Sequence, residues 1–346
     1  MSSDLAEKNA GLVDLRSDTV TRPTPAMRKA MYDAEVGDDV YGEDPTVSLL
    51  EEEFASRVGK AAALYVPSGV MANQLALRVL AKTSRYVIAG RRQHVVAYED
   101  AAAAVNSGLQ FHTLPDEDGT ISPAGIRWAI EAARHHMPEP SLVCVENTHM
   151  AASGMPWHPA DLEAVLQACG DVPVHMDGAR LFNAEVATGI PAADACFGTS
   201  SVMCCLSKGL CAPVGSVLAG ESDMIAEARI ERHRLGGAMR QAGVIAAAGL
   251  VALRTMVDRL ADDHRRARQL AESVATRWPD AGCDPDRVHT NIVVFTHSDP
   301  TKLFAHLRSH GVIAGTIAPD VVRLVTHNDV DDQGMLRARA ALESAP

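Results

Sequence analysis

Lys208 ends the apolar stretch Ser200-Ser-Val-Met-Cys-Cys-Leu-Ser-Lys-Gly-Leu210, which delivers one amine into a glycine turn. An amine carried to the end of a buried strand suits a neutral nucleophile that condenses with an aldehyde; it is also what a simple strand-end cap looks like. Upstream, Val172-Pro-Val-His-Met-Asp-Gly-Ala-Arg-Leu181 has the same form: an apolar strand, Asp177, a glycine, and Arg180 at the head of a helix. If the two strands run parallel in one sheet, Asp177 and Lys208 share its carboxyl edge, where open α/β sheets bind ligands. A lysine that can hold an aldehyde, beside a carboxylate that can keep a pyridine nitrogen protonated, is the pair pyridoxal phosphate requires.

The elements that must position this pair can be followed along the chain. The segment Asp14-Leu-Arg-Ser-Asp-Thr-Val-Thr-Arg-Pro-Thr-Pro25 carries charge, hydroxyls and two prolines, so it cannot be a regular helix. It reads as an arm docked on the body, with Arg16 and Ser17 suited to a carboxylate. Residues 25–33 read as a short helix, and Asp44 caps another that has Pro45 at its first position and a buried stripe of Val47, Leu50, Phe54 and Val58. Residues 61–66 form a candidate strand, turned by Pro67-Ser-Gly-Val70 into a helix over 71–80. A strand, a serine-glycine turn and a helix N-terminus make an anion site, so Ser68, Gly69 and Val70 are expected at a phosphate. Residues 85–90 and 94–98 read as short strands. His94, which opens the second, is either a ring stacked on the cofactor or a structural histidine. The strand 141–147 leads to His149, a candidate acid or base. Alternation of strand and helix from 61 to 208 predicts a parallel, doubly wound sheet. Residues 213–218 are expected as an edge strand and 241–278 as a long helical stretch holding the domain boundary near Met256. The small α+β remainder has a helix over 301–310 and strands over 291–296, 312–317 and 321–326. Arg323, inside the last strand, needs either a substrate carboxylate or a structural aspartate as partner.

Composition limits the possibilities. A chain of 346 residues with 47% hydrophobic content can bury a large core, and two domains are expected: 14–255, with its N-terminal arm, and 256–346, after a disordered tail over 1–13. A net charge of −12 without a basic run argues against nucleic acid or an anionic membrane as partner. No stretch is apolar enough for a membrane span or a signal peptide, which makes the cytoplasm the expected compartment. Seven cysteines without a C-x-x-C pair suggest neither a disulfide framework nor a zinc knuckle, and no metal site is expected. No G-x-G-x-x-G follows a strand, which disfavours a Rossmann nucleotide-binding protein.

With these residues in view, the chain resembles the low-specificity L-threonine aldolases, pyridoxal-phosphate enzymes of the aspartate-aminotransferase-like fold (fold type I). The resemblance runs over nearly the whole chain. It is carried by Leu15-Arg-Ser-Asp-Thr-Val-Thr-Arg-Pro23, Asp38-Asp-Val-Tyr-Gly-Glu-Asp-Pro45, Glu146-Asn-Thr-His149, His175-Met-Asp-Gly-Ala-Arg-Leu181, Leu206-Ser-Lys-Gly-Leu210, Met239-Arg-Gln-Ala-Gly243 and Val322-Arg-Leu-Val-Thr-His327. It implies Lys208 in a Schiff base with the cofactor, Asp177 on the pyridine nitrogen, Arg180 near the ring's phenolic oxygen, His94 stacked on the ring, and Ser68 with Gly69 on the phosphate. It further implies Ser17 and Arg323 on the substrate carboxylate and His149 facing the β-hydroxyl. Tyr41 and Arg240 would approach from a neighbouring subunit, giving a homodimer with shared active sites, commonly paired into a homotetramer. Two departures stand out: Ala238 replaces an expected glycine, and Met150-Ala-Ala-Ser-Gly-Met-Pro-Trp157 replaces the usual glycine pair beside the substrate side chain.

The activity so implied is retro-aldol cleavage of L-threonine, L-allo-threonine and related β-hydroxy-α-amino acids to glycine and an aldehyde. The base is His149, His94 or an ordered water, in that order of preference. The alternatives are a β-eliminating or dehydrating lyase on the same cofactor, an aldolase for a bulkier substrate such as a phenylserine, and a non-catalytic pyridoxal-binding protein.

Overall fold

A computed structural model describes residues 11–81 and 85–346. Its strands in chain order are β1 (Val13–Asp14), β2 (Ala62–Val66), β3 (Tyr86–Gly90), β4 (Gln110–Leu114), β5 (Pro140–Glu146), β6 (Val174–Asp177), β7 (Ser201–Cys205), β8 (Ser216–Gly220), β9 (Ile292–Thr296), β10 (Val312–Ile313), β11 (Gly315–Ala318) and β12 (Val321–Val325). A seven-stranded sheet runs in the order β2-β8-β7-β6-β5-β3-β4, and its only reversed strand is β8, antiparallel to both neighbours.

Apart from the half-exposed edge strand β4, the strands of the sheet are buried on both faces and mostly apolar. Alternation assigns the side chains: Ala63 and Tyr65 of β2, Val143 and Val145 of β5, and Val202 and Cys204 of β7 join one large cluster. On the other face, Leu64, Val66, Met203 and Cys205 pack under the helix Gly69–Leu80, and Val87, Ala89, Leu142 and Cys144 form a neighbouring patch. Between those two patches β6 presents His175 and Asp177 to the same helix, a polar stripe through an apolar layer.

Chain order reverses beside β3: β4 lies on one side of it and β5 on the other. Ligands bind outside the carboxyl ends of strands at such a switch point. The strands there are followed by His94 and His149, with Asp177 at the end of β6 and Lys208 just after β7, the next two strands inward.

A second cluster packs Ala267, Leu270 and Val274 of the helix Leu260–Arg277 and Met335, Ala338 and Leu342 of the helix Asp332–Glu343 against the antiparallel sheet β11-β12-β9. The N-terminal arm crosses to this unit. Val13 pairs with Val312, and Leu15 bridges Ile313 and Val325 through its backbone.

Several expectations are corrected. Residues 1–10 of the expected disordered tail lie outside the described residues, whereas Val13 is in β1. His94 opens not a strand but the single-turn helix His94–Ala97: its backbone N–H reaches the Glu146 carboxylate, and Tyr98 closes the turn onto its carbonyl. The strand expected at 213–218 is β8, an interior strand, and the edge belongs to β2, which β8 joins to the sheet. The stretch 241–278 is two helices, Gly243–Thr255 and Leu260–Arg277, broken at 256–259. Residues 312–317 split into β10 and β11 around Ala314, and β4 was not anticipated.

Candidate active site

Asp177 ends β6 nearly fully buried, and its neighbours account for its ionisation. Its Oδ2 accepts from the Asn73 amide at 2.7 Å and its Oδ1 from the Ala179 backbone N–H at 3.0 Å. Burial alone would raise its pKa; the charges of His94 and Lys208, the Asn73 bond and His175 outweigh burial and hold it below the usual value. The second Asn73 amide hydrogen goes to Glu99 Oε1 at 2.8 Å, and Asn73 Oδ1 lies 3.0 Å from His175 Nε2. Glu99 also lies 2.9 Å from His94 Nδ1 and accepts from Gln74 at 2.7 Å. Burial pushes the His175 pKa down to about 4, so at neutral pH it is a neutral ring with one N–H, and Asn73 Oδ1 is its acceptor. His94 is raised instead: burial opposes its charge, but Glu99 and Asp177 prevail.

Lys208 is half-buried after β7, with its carbonyl bonded by Thr21 Oγ1 at 3.0 Å. Ser68 caps the helix Gly69–Leu80 through Met71 N–H at 3.2 Å, which leaves the first-turn N–H groups of Gly69 and Val70 without intrahelical partners. A Cβ on Gly69 would stand 2.8 Å from Cys205 Sγ and 3.1 Å from Met203 Cε. Glycine therefore lets this helix end sit close on β7, beside the buried Ser216 Oγ, which has no hydrogen-bond partner among the described residues. A half-buried amine, an ionised buried carboxylate, unspent N–H donors at a helix N-terminus and an orphaned hydroxyl together fit pyridoxal phosphate.

Of the two partners expected for Arg323, a structural aspartate is not found among the described residues. Among the described residues it forms no ion pair; its Nη2 donates to the Arg16 carbonyl at 3.0 Å and its Nε has no partner. Burial and the nearby Arg180 charge lower its pKa. Arg16 is paired with Asp14, and Ser17 Oγ accepts from Thr19 N–H at 3.2 Å. Arg180 is gripped by Asp18, whose carboxylate accepts from its Nε and Nη2 at 2.7 Å each and from Asn291 at 3.0 Å. His149 is fully buried, with Nε2 2.8 Å from Asp116 Oδ2. Tyr41 is 77% exposed, and Arg240 reaches Asp38 at 3.4 Å on the same surface. A surface cleft of about 750 Å³ lined by Arg277, Trp278, His297 and Lys302 contains none of these residues.

Asp18, Asn73, Glu99 and Asp116 are among the residues of this arrangement that the sequence reading does not single out. Asn73 was detectable, because an asparagine among Ala72, Leu75 and Ala76 is polar on an apolar helix face. Asp18 lay inside a segment already marked. Asp116 gave no local sign, since its partner is 33 residues away.

The beta-eliminating lyase family model matches residues 14–299. Low-specificity L-threonine aldolase 1 of Arabidopsis thaliana is 40% identical over 329 residues, 92% of each chain. The low specificity L-threonine aldolase of Escherichia coli K12 is 37% identical over 334 residues, covering 95% of this chain and 98% of the relative. Among solved structures, Leishmania major threonine aldolase superposes with a TM-score of 0.82 at 19% identity, over 96% of this chain and 98% of that one. Sphingomonas wittichii serine palmitoyltransferase does so with a TM-score of 0.76 at 15% identity, over 96% and 86%. These two structures speak to the fold, the pyridoxal-phosphate fold type I. The chain belongs to the low-specificity L-threonine aldolases, within the beta-eliminating lyase family.

Proposed function

We propose that this protein cleaves the Cα–Cβ bond of L-threonine, L-allo-threonine and related β-hydroxy-α-amino acids, giving glycine and an aldehyde, with pyridoxal phosphate as cofactor. The observation that carries the reading is Asp177: a buried carboxylate kept ionised at the same sheet edge as Lys208 is what a protonated pyridine nitrogen needs. When bound, the cofactor supplies the electron sink for the pair released at Cα.

The chain's own residues do the rest. Lys208 holds the cofactor aldehyde between turnovers, Ser68, Gly69 and Val70 take the phosphate, and His94 lies against the ring. Arg180, held rigid by Asp18, faces the ring's phenolic oxygen. Arg323 and Ser17 bind the substrate carboxylate, and Arg323 is suited to this as a half-buried guanidinium with no ion-pair partner among the described residues. Gripping the carboxylate orients the Cα–Cβ bond, and His149 takes the β-hydroxyl proton. The substrate lies between the units 14–255 and 256–346. Tyr41 and Arg240, exposed on one chain, complete the site of a second copy in a homodimer, and two such dimers form a homotetramer. No helix among the described residues is long and apolar enough to cross a membrane; seven unpaired cysteines, six of them buried, favour the cytoplasm.

The test is to incubate the protein, loaded with pyridoxal phosphate, with L-threonine and with L-allo-threonine, following acetaldehyde and glycine. Equal yields of both support the reading. Ammonia and 2-oxobutyrate would replace it with β-elimination, and product only from a phenylserine would move it to a bulkier substrate.

A further inference from the structure

The environment of His149 assigns more than a base. His149 Nε2 lies 2.8 Å from Asp116 Oδ2, and neither side chain is exposed. Asp116 Oδ2 also accepts from the Arg92 backbone N–H at 3.0 Å, and Arg92 Nε stands 3.6 Å from Oδ1. Room for the carboxylate comes from Gly90 at the end of β3, where any Cβ would collide with Asp116. The ring is fixed at its other end by its backbone, which exchanges hydrogen bonds with Met155 and Gly154 at 2.9 Å each. His149 Nδ1 is buried and has no partner among the described residues.

An ionised carboxylate can only accept, so a neutral ring bonded to it must carry its proton on Nε2. The lone pair is then on Nδ1, the atom left without a donor. We propose that Asp116 is a positioning residue for the cleavage: it fixes the tautomer and orientation of His149, so that Nδ1 takes the substrate's β-hydroxyl proton. This rests on the aldol-cleavage reading with His149 as base. In the step, the O–H proton passes to Nδ1 as the carbonyl of the leaving aldehyde forms. The Cα–Cβ electron pair moves to Cα, and Cα later takes up a proton to become glycine, so aldehyde and glycine together account for every substrate atom. The transient imidazolium remains paired with Asp116, the arrangement that stabilises a histidine base in hydrolase triads.

The charged groups facing the ring are Asp116, Glu146 and Arg92. Burial opposes the charged ring, but the Asp116 bond and the Glu146 charge raise the His149 pKa. Asp116→Asn removes the negative charge that pairs with the transient imidazolium, which lowers the basicity of Nδ1 even where the amide oxygen, held by the Arg92 N–H, still accepts from Nε2–H.

The test compares Asp116→Asn, His149→Asn and the double variant as holoenzymes on L-threonine. General-base contributions are about 10²–10⁴-fold. Asp116→Asn should lower kcat about 100-fold or more with KM within about threefold, move the acid limb of the kcat profile to lower pH, and cost nothing further in the His149→Asn background. If Asp116→Asn does not fold, Gly90→Ala, which displaces the carboxylate, should give the same kcat loss. An Asp116→Asn or Gly90→Ala enzyme within threefold of the parent, or an equal loss in the His149→Asn background, overturns the proposal. If His149→Asn alone abolishes activity in that case, the base assignment survives and only the role of Asp116 falls. A fully active His149→Asn removes both.

Discussion

Asn73→Leu keeps the heavy-atom count and branching of the side chain and removes the polar contacts that Asn73 makes at the centre of the site. Asn73 bonds two carboxylates, Asp177 at 2.7 Å and Glu99 at 2.8 Å, and lies 3.0 Å from His175 Nε2. Hydrogen bonds to charged groups contribute about 1.5–3 kcal/mol each and an orphaned buried donor costs about 1–3 kcal/mol, so simple addition exceeds what such a non-additive network delivers. The second effect is electrostatic. Carboxylate oxygens of Glu99 and Asp177 lie within 4.8 Å of one another, where two charges repel by about 3–4 kcal/mol at an effective dielectric of 20. With the amide gone, one carboxylate relieves this by taking a proton. We therefore expect a loss of about 3–5 kcal/mol at pH 7, an Asp177 carboxyl raised toward neutrality, and weaker cofactor binding. Urea unfolding of the cofactor-free protein reads the first and titration with pyridoxal phosphate the last. A loss under about 1 kcal/mol with unchanged cofactor affinity would refute the network as the source of Asp177's ionisation.

Two further outcomes are expected. His175 and His264 are both depressed by burial to about 4, so the unfolded chain binds protons below about 6.5 that the folded chain refuses. Their stabilisation is present above pH 6.5 and is lost as pH falls toward 4, by about 2 kcal/mol per histidine at pH 5; His94 and His149, whose pKa values are raised, act in the opposite sense, so a parent whose urea midpoint changes between pH 7 and 5 just as that of His264→Asn does would contradict this. Gly69→Ala must lift the helix end from Cys205 and Met203, with an expected loss of about 1–3 kcal/mol in stability and about tenfold in affinity for pyridoxal phosphate; an unchanged cofactor titration would show that this close approach is unimportant.

What was legible in the sequence was local. The helix start at Pro45 follows from Asp44 as its cap, and the strands ending at Asp177 and near Lys208 follow from mostly apolar runs. What was not legible depends on distant partners. Val95 and Val96 resemble a strand, yet a hydrogen bond from the His94 N–H to the Glu146 carboxylate and those within the turn coil them into a helix. β8 reads as an edge because nothing local tells that β2 adds beyond it. β4 hides because Gln110-Phe-His-Thr-Leu114 is largely polar on an edge that only β3 covers. Gly69 suggested a phosphate turn, and its neighbours add a different reason, close packing on β7. Asp116 and Glu99 acquire meaning only once the fold brings His149 and His94 to them.

The most direct test of the central claim is the Lys208→Ala variant, loaded with pyridoxal phosphate and mixed with L-threonine, following visible absorbance, borohydride-fixed cofactor and glycine. The account requires that the parent fixes one cofactor per chain on reduction and forms glycine, while the variant fixes none and loses activity by about 10³-fold or more, since the amine is the nucleophile. A variant that turns over at the parental rate, or a parent whose cofactor is fixed at another lysine, would contradict it.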